Sequence, residues 1–384
     1  MPVINGSGLR SLFLLGIFLC AAFVWSHAQG IAWESASMRQ ISLPAERYAS
    51  YPRMIELRDR SWLCIYEADG QVVCAKSVDQ GDSWKKIATV AERQPGVNMC
   101  VPSVIQLQDG SLLAMYNPRP TKDGTEHHFA IKTKKSYDKG ITWRDERLLY
   151  QAGNEFKNGC WEPAAIQLPG GEIQLFFANE GVFLTSDEQN ISRLKSTDNG
   201  LSWEQEPTVI SFRPGFRDGM PVPLLIGDDR LAMVIEDNGV EQFKPFIIYG
   251  AVSDDTGYPV LAEGPNRVYA LKHKLADSVY AGAPYLVKLK SGHTLLSYQG
   301  TEGRENQLKY ADMNVFVGDS LASNFMHGTK PFPVPAKKSA LWNSLMVSLD
   351  DTIVAVSATN AFGQGKSEIW MVKGRVQEER FGAQ

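Results

Sequence analysis

A short apolar run, a turn rich in Asp and Gly, and a second apolar run recur six times along this 384-residue chain. The copies read "YPRMIELRDRSWLCIYE" from Tyr51, "VPSVIQLQDGSLLAMYN" from Val101, "EPAAIQLPGGEIQLFFAN" from Glu162, "MPVPLLIGDDRLAMVIED" from Met220, "APYLVKLKSGHTLLSYQG" from Ala283 and "WNSLMVSLDDTIVAVSAT" from Trp342. Each has the form of a β-hairpin. Their starts lie about 58 residues apart on average. A period of that length means one repeat architecture, although length alone would allow two domains. Each repeat has room for about four strands, and helical periodicity is nearly absent. The expected fold is therefore all-β, a six-bladed β-propeller arranged radially around a channel. A β-helix solenoid would use much shorter rungs. Little chain follows "SEIWMVKGRV" in the last repeat, so the N-terminal "ASMRQISLP" should supply its outer strand. That pairing would close the ring and remove two exposed edges.

A second series runs between the hairpins. "SVDQGDSW", "SYDKGITW" and "STDNGLSW" start at Ser77, Ser136 and Ser196, 59 and 60 residues apart, with a degenerate "SDDTGYP" from Ser253. The phrase fits a tight turn between outer strands. Its Asp accepts backbone N–H groups of its own turn, its Gly permits positive φ, and its Trp wedges between layers. It resembles the Asp-box of sialidases and other propeller proteins. Its role is structural, which places Asp79, Asp138 and Asp198 at the periphery and away from any active site.

Arg10, the apolar run Leu12–Trp25 and "SHA" have the order of a secretory signal, cleaved after Ala28. A spanning helix needs about 20 apolar residues, more than this run offers. Residues 1–28 are thus read as a signal peptide and 29–384 as one catalytic propeller, secreted or periplasmic, monomeric and without a membrane segment. A formal charge of −4 with no basic run gives no reason to expect nucleic acid. Cys64, Cys74, Cys100 and Cys160 remain after cleavage, and spacing alone allows three pairings. "NMCVP" and "NGCWEP" look like matching neighbourhoods, which predicts that Cys100 and Cys160 approach one another. No Cys-x-x-Cys or clustered His points to a metal, and no cofactor is expected.

In a propeller the innermost strand lines the channel. The first residue of each hairpin copy, Tyr51, Val101, Glu162, Met220, Ala283 or Trp342, should lie at one end of that strand. The second strand returns to the same end at Glu67, Asn117, Glu236 and Gln299. The third copy reads as one residue longer and offers Asn179 and Glu180. Glu162 interrupts an otherwise non-acidic register, and Glu236 ends a buried strand in an adjacent blade. Two carboxylates across one aromatic mouth suit glycoside hydrolysis, in which one supplies a proton and the other attacks or stabilises an oxocarbenium-like transition state. A carbohydrate is the expected partner. Tyr51, Trp161, Trp342, Arg53, Arg217, Asn117, Asn179 and Gln299 are candidate substrate contacts. The alternative for the glutamates is that they satisfy backbone donors at strand ends.

"YPRMIEL", "GCWEPAAIQLPGGEIQLFFANE" and "MVIEDN" resemble glycoside hydrolase family 93, the exo-arabinanases with six-bladed propellers. The similarity spans nearly the whole mature chain, and Trp-Glu-Pro is its most specific part. It implies retaining release of terminal α-1,5-linked arabinose by two glutamates, which fall on Glu162 and Glu236. Sialidases are the nearest rival. They hold a substrate carboxylate with three arginines and use a Tyr activated by a Glu. Arg53 and Arg217 could serve as two of those arginines, with Arg119 or Arg304 as the third. A propeller that binds glycan without turning it over is the remaining alternative.

Overall fold

The computed structural model describes residues 28–252, 260–261 and 264–378. The expected export signal lies outside the described residues except for Ala28, which begins a strand, and so does the degenerate phrase from Ser253. Blade one comprises Ala49–Glu56, Trp62–Ala68, Gln71–Ser77 and Lys85–Ala91. Blade two comprises Val97–Gln106, Leu112–Pro120, Ala130–Ser136 and Arg144–Gln151. Blade three is Cys160–Gln167, Ile173–Asn179, Asn190–Ser196 and Thr208–Phe212, with Val260–Leu261 added in parallel at its edge. Blade four is Asp218–Gly227, Arg230–Asp237, Lys244–Ala251 and Arg267–Tyr269, and blade five is Ala281–Lys288, Thr294–Gly300, Asp312–Gly318 and Met326–Thr329. Blade six takes Ala340–Val347, Ile353–Thr359 and Glu368–Glu378 from the C-terminal end and Ala28–Gln40 from the N-terminal end. The ring thus closes as the sequence predicts, with Gln40 opposite Trp370 and Arg39 opposite Met371. Among the described residues the helical turns are single, and no helix is long and apolar enough to cross a membrane.

The blades pack face to face, so their strands are apolar on both sides. In Trp62–Ala68 every residue is buried. Trp62, Cys64, Tyr66 and Ala68 point toward blade six, while Leu63 and Ile65 point toward blade two. This is the period-two alternation of a strand, feeding two interfaces instead of one core and one solvent face. Each fully buried Leu or Ile contributes about 1.5–3 kcal/mol. The four cysteines are free and buried, and behave as small hydrophobes. Cys100 and Cys160 are not in matching positions. Cys100 directly precedes Val101 and packs at the axis, whereas Cys160 lies two residues before Glu162 and packs between blades.

The three Asp phrases form near-identical turns between third and fourth strands. In the first, Ser77 Oγ donates to Asp79 Oδ1 (2.7 Å), and Asp79 accepts the Ser83 N–H (3.0 Å) and the Ser83 hydroxyl (2.5 Å). The Trp84 indole N–H then donates to the Gly81 carbonyl (3.1 Å). Gly81 has φ +87° and packs so tightly on Trp62 that an added Cβ would lie 2.8 Å from its ring. Asp138 and Asp198 repeat the pattern. A further turn, unrecognised in the sequence, uses Asp319 to accept the Ser323 N–H (3.0 Å) and hydroxyl (2.7 Å) in blade five. It lacks the Ser, Gly and Trp that mark the others.

All six innermost strands carry one bulge at the same place. Tyr51, Val101, Glu162, Met220, Ala283 and Trp342 have φ of 49°, 46°, 47°, 49°, 48° and 52°. The strand register breaks around each of them. Left-handed backbone is costly for residues with a Cβ, so six repetitions mark a constraint of the fold. Five of the bulges precede a proline, which has no N–H to give the ladder. The sixth precedes Asn343, so proline accommodates the bulge but does not cause it. The bulge turns six side chains toward the axis, where Tyr51, Val101, Met220 and Ala283 form one apolar cluster with Cys100 and Trp342. Glu162 is the single charged member of this ring.

Candidate active site

The ring closes the channel. Tyr51 and Trp342, on neighbouring blades one and six, stack at 4.4 Å, and the space beneath, lined by Arg53, Ser103, Glu162 and Tyr285 among others, is only about 100 Å³. The mouth above it is therefore blind. A larger cavity of about 810 Å³ lies between blades three and four near the Asp229–Arg230 turn, but among the described residues its lining includes a single carboxylate, Asp229.

Glu162 stands on this floor with its Oε1 3.8 Å from Arg119 Nη2. Burial raises its pKa, and Arg119, Arg217 and Arg53 oppose that rise. Glu236 lies opposite Gly219 on the second strand of blade four. Its Oε2 accepts the Ala283 N–H at 2.7 Å. Burial pushes its pKa up to about 7, the Glu162 charge adds to the rise, and the Ala283 N–H and Arg217 pull it back. The two glutamates thus share one field and differ in their partners: three arginines for Glu162, one backbone N–H and one arginine for Glu236.

Glycines keep Glu236 open. A Cβ on Gly219 would lie 3.1 Å from its Oε1, and one on Gly282 would lie 2.6 Å from its Oε2 and 2.5 Å from the Tyr280 hydroxyl. Its neighbour Asp237, on the opposite face of the same strand, pairs with Arg213 (2.8 Å) and Arg267 (2.7 Å). Arg267 also pairs with Asp218 at 2.5 Å, and the Arg267, Asp218 and Asp237 side chains are fully buried. Removing one member of such a network leaves a buried charge uncompensated.

The other predicted residues divide into those at the mouth and those that brace it. Arg217 ion-pairs with Glu180, and burial lifts Glu180 to about 7 against that pairing. Arg53 lies beneath the ring, donating to the carbonyls of Pro52 (2.8 Å), Trp342 (3.4 Å) and Asn343 (3.3 Å). Asn117 is buried, accepting from Arg119 Nε (2.6 Å) and donating to the Ala130 carbonyl (2.7 Å). Asn179 is occupied by Ser192 and the Gly181 N–H. Gln299 accepts the Trp342 N–H (2.6 Å) and donates to the Tyr280 hydroxyl (2.9 Å). Trp161 packs under Arg119 at 4.6 Å. Arg304 is engaged in blade five with Asp312 and nearby carbonyls. The third hairpin is not longer than the rest: Ala178 pairs with Trp161 where Glu236 pairs with Gly219. Ala178 therefore fills the position expected for Asn179, and Glu180, two residues on, brings the carboxylate.

Sequence reading missed Tyr280, and met Arg119 only as a spare arginine. A register signal existed for both. Tyr280 and Arg217 each lie three residues before the ring residue of their blade, while Arg119 and Glu180 each lie eighteen after it. Among the described residues no group of three or more His, Cys, Asp or Glu is placed to hold a metal ion.

No protein-family profile matches the chain, and no curated protein matches it. Solved structures do. A protein of unknown function from Dyadobacter fermentans superposes with a TM-score of 0.69 at 13% identity, over 91% of this chain and 100% of that one. The family 93 α-L-arabinofuranosidase of Fusarium graminearum, in complex with arabinobiose, gives 0.66 at 18% identity, over 90% and 98%. The NanB sialidase of Streptococcus pneumoniae gives 0.61 at 10% identity, over 88% and 70%. At these identities the likeness establishes the fold, the six-bladed propeller of sialidase type.

Proposed function

We propose that the protein is a secreted, exo-acting, retaining glycoside hydrolase that removes terminal sugars from a neutral, arabinan-like glycan. The observation that carries this reading is the pair Glu162 and Glu236, on adjacent blades of one blind mouth, with the Glu162 charge acting on Glu236 and the two unequally partnered. Glu236, with its pKa near 7, is the proton donor to the leaving oxygen; Oε2 is held by Ala283, which leaves Oε1 to carry the proton. Glu162, where three arginines oppose the rise that burial causes, is the nucleophile that attacks the anomeric carbon. Water then cleaves the glycosyl–enzyme bond with Glu236 as base, and the two displacements restore the anomeric configuration. A mouth closed below by Tyr51 and Trp342 admits a chain end but not a threaded chain, which supports exo action. The arabinobiose complex of the Fusarium protein supports the sugar class. The apolar run Leu12–Trp25 supports export.

A sialidase is the second reading, favoured by Tyr280 beside Glu236. Against it, Arg119 faces Glu162, Arg217 is paired with Glu180, and Arg53 is spent on carbonyls below the ring. A substrate carboxylate would enter a mouth that already holds Glu67, Glu162, Glu180 and Glu236. Debranched arabinan, aryl arabinofuranoside and aryl sialoside separate the readings, with the first-released anomer followed by NMR. Arabinose or arabinobiose released with retention is expected, and Glu162→Gln and Glu236→Gln should each lower kcat on the polymer at least ~10²–10⁴-fold. Full activity in both variants would end the mechanism, and sialic acid release alone would end the substrate assignment.

A further inference from the structure

A chain whose terminal sugar sits on the blind floor must leave over the rim, and the rim of blade three carries an exposed aromatic packed on Trp161, the residue before Glu162 of the floor. Glu162 is 3.8 Å from Arg119, whose guanidinium lies 4.6 Å over the Trp161 ring. Trp161, itself only 5% exposed, packs at 4.7 Å against Phe156, which is 61% exposed. Arg119 Nη2 is buried and makes no hydrogen bond in the protein, which leaves a donor unspent between the carboxylate and the aromatic step.

The loop that carries the exposed ring is tied down by hydrogen bonds. The Phe156 N–H donates to Asp123 Oδ1 (3.0 Å), and Asn154 Nδ2 donates to the Thr125 carbonyl (2.7 Å). The Gly153 N–H donates to the Asn158 carbonyl (2.9 Å), the Gly124 N–H to the Asn154 carbonyl (3.1 Å), and the Phe129 N–H to the Gly153 carbonyl (3.0 Å). The edge of Phe129, buried, supports the Phe156 ring from below at 6.1 Å. An exposed aromatic face whose ring already packs on two neighbours, on a loop so tied, loses less entropy when a ligand covers it than a free side chain would.

We propose that Phe156 is a second sugar-binding position, stacking against the apolar face of a neutral sugar ring next to the one on the floor. This rests on the hydrolase reading above and adds to it a residue that sets chain-length preference. The flat C–H face of a neutral furanose or pyranose matches an aromatic ring with no charged group on it, as in sites where apolar surface fixes the ligand and few polar groups orient it.

Calorimetric binding of arabinose, arabinobiose and arabinotriose, in a Glu236→Gln background that does not turn them over, to the otherwise wild-type chain and to Phe156→Ala tests the position directly, with KM for the oligosaccharides measured in parallel on the active proteins. The chain that keeps Phe156 should gain affinity with each added unit, and Phe156→Ala should lose roughly fivefold to tenfold of that gain while Phe156→Tyr restores it. An equal gain with chain length in both proteins would overturn the proposal and leave the hydrolase reading standing. If the gain depends on Phe156 but no glycan is ever cleaved, the binding position stands and the hydrolase reading falls. No binding of any of the three sugars would overturn it as well.

Discussion

Glu236 titrates near neutrality, and that has two measurable consequences. The first is kinetic. An acid that must be protonated with a pKa of about 7 puts an alkaline limb on kcat/KM, so activity should fall tenfold per pH unit above about 7. A profile flat to pH 9 would show that Glu236 does not deliver the proton. The second is thermodynamic. Between pH 4.5, the ordinary value, and about 7, the folded protein holds a proton that the unfolded chain has lost. Folding is therefore favoured at low pH, and stability drains away as pH rises through this window, by on the order of 3 kcal/mol at most for a 2.5-unit shift. Glu236→Gln carries no such term. It should match the wild type in urea unfolding at pH 4 and exceed it at pH 8; equal midpoints at both pH values would refute the buried, neutral acid. At this scale Glu162 and Glu236 were legible, because an acid stood out at a register position that is otherwise apolar or ends a buried run. Tyr280 was not, since one Tyr among thirteen stands out only when counted from the ring residue, three before Ala283 as Arg217 is three before Met220.

The hairpins and the Asp turns were legible as elements because each repeats a local chemistry: alternation for the strands, side-chain acceptance of backbone N–H groups for the turns. The bulge was not. No residue type marks it, as Tyr, Val, Glu, Met, Ala and Trp all occupy it, and the constraint comes from six strands converging on one axis. The one-residue error at Asn179 has the same origin, since register is settled by pairing across the sheet and not by the end of an apolar run. The peripheral turns yield a prediction that separates structure from chemistry. Asp198 accepts from Ser196, Leu201 and Ser202, and those bonds hold its pKa at about 2. Asp198→Ala should cost ~1–2 kcal/mol in denaturant unfolding, as the loss of a capping side chain does, with kcat unchanged. A large fall in kcat at intact stability would bring the turn into the catalytic machinery.

The whole molecule depends on a contact between its two ends. The six interfaces are alike in kind, but the one at blade six is completed only when Ala28–Gln40 pairs with Glu368–Glu378. That strand also reaches blade five. Ile31 is buried with Leu289, Leu295 and Val315, and the Trp33 indole N–H donates to Thr329 Oγ1 at 3.0 Å. Its loss would therefore open an edge on one blade and uncover the outer strand of the next. Loop-closure entropy is highest for this pair, so its contacts form late in folding and should act mainly on unfolding. Ile31→Ala removes a buried branched side chain and should destabilise by about 2–4 kcal/mol, with most of the change in the unfolding rate. A chain beginning at Ile41 leaves Glu368–Glu378 as an unpaired strand edge, which is a template for a second molecule. Light scattering after size exclusion should find it associated, and thermal unfolding should find it far less stable than the parent. A monomer of parental stability would show that five complete blades and one of three strands already hold the ring, and that the terminal strand is dispensable.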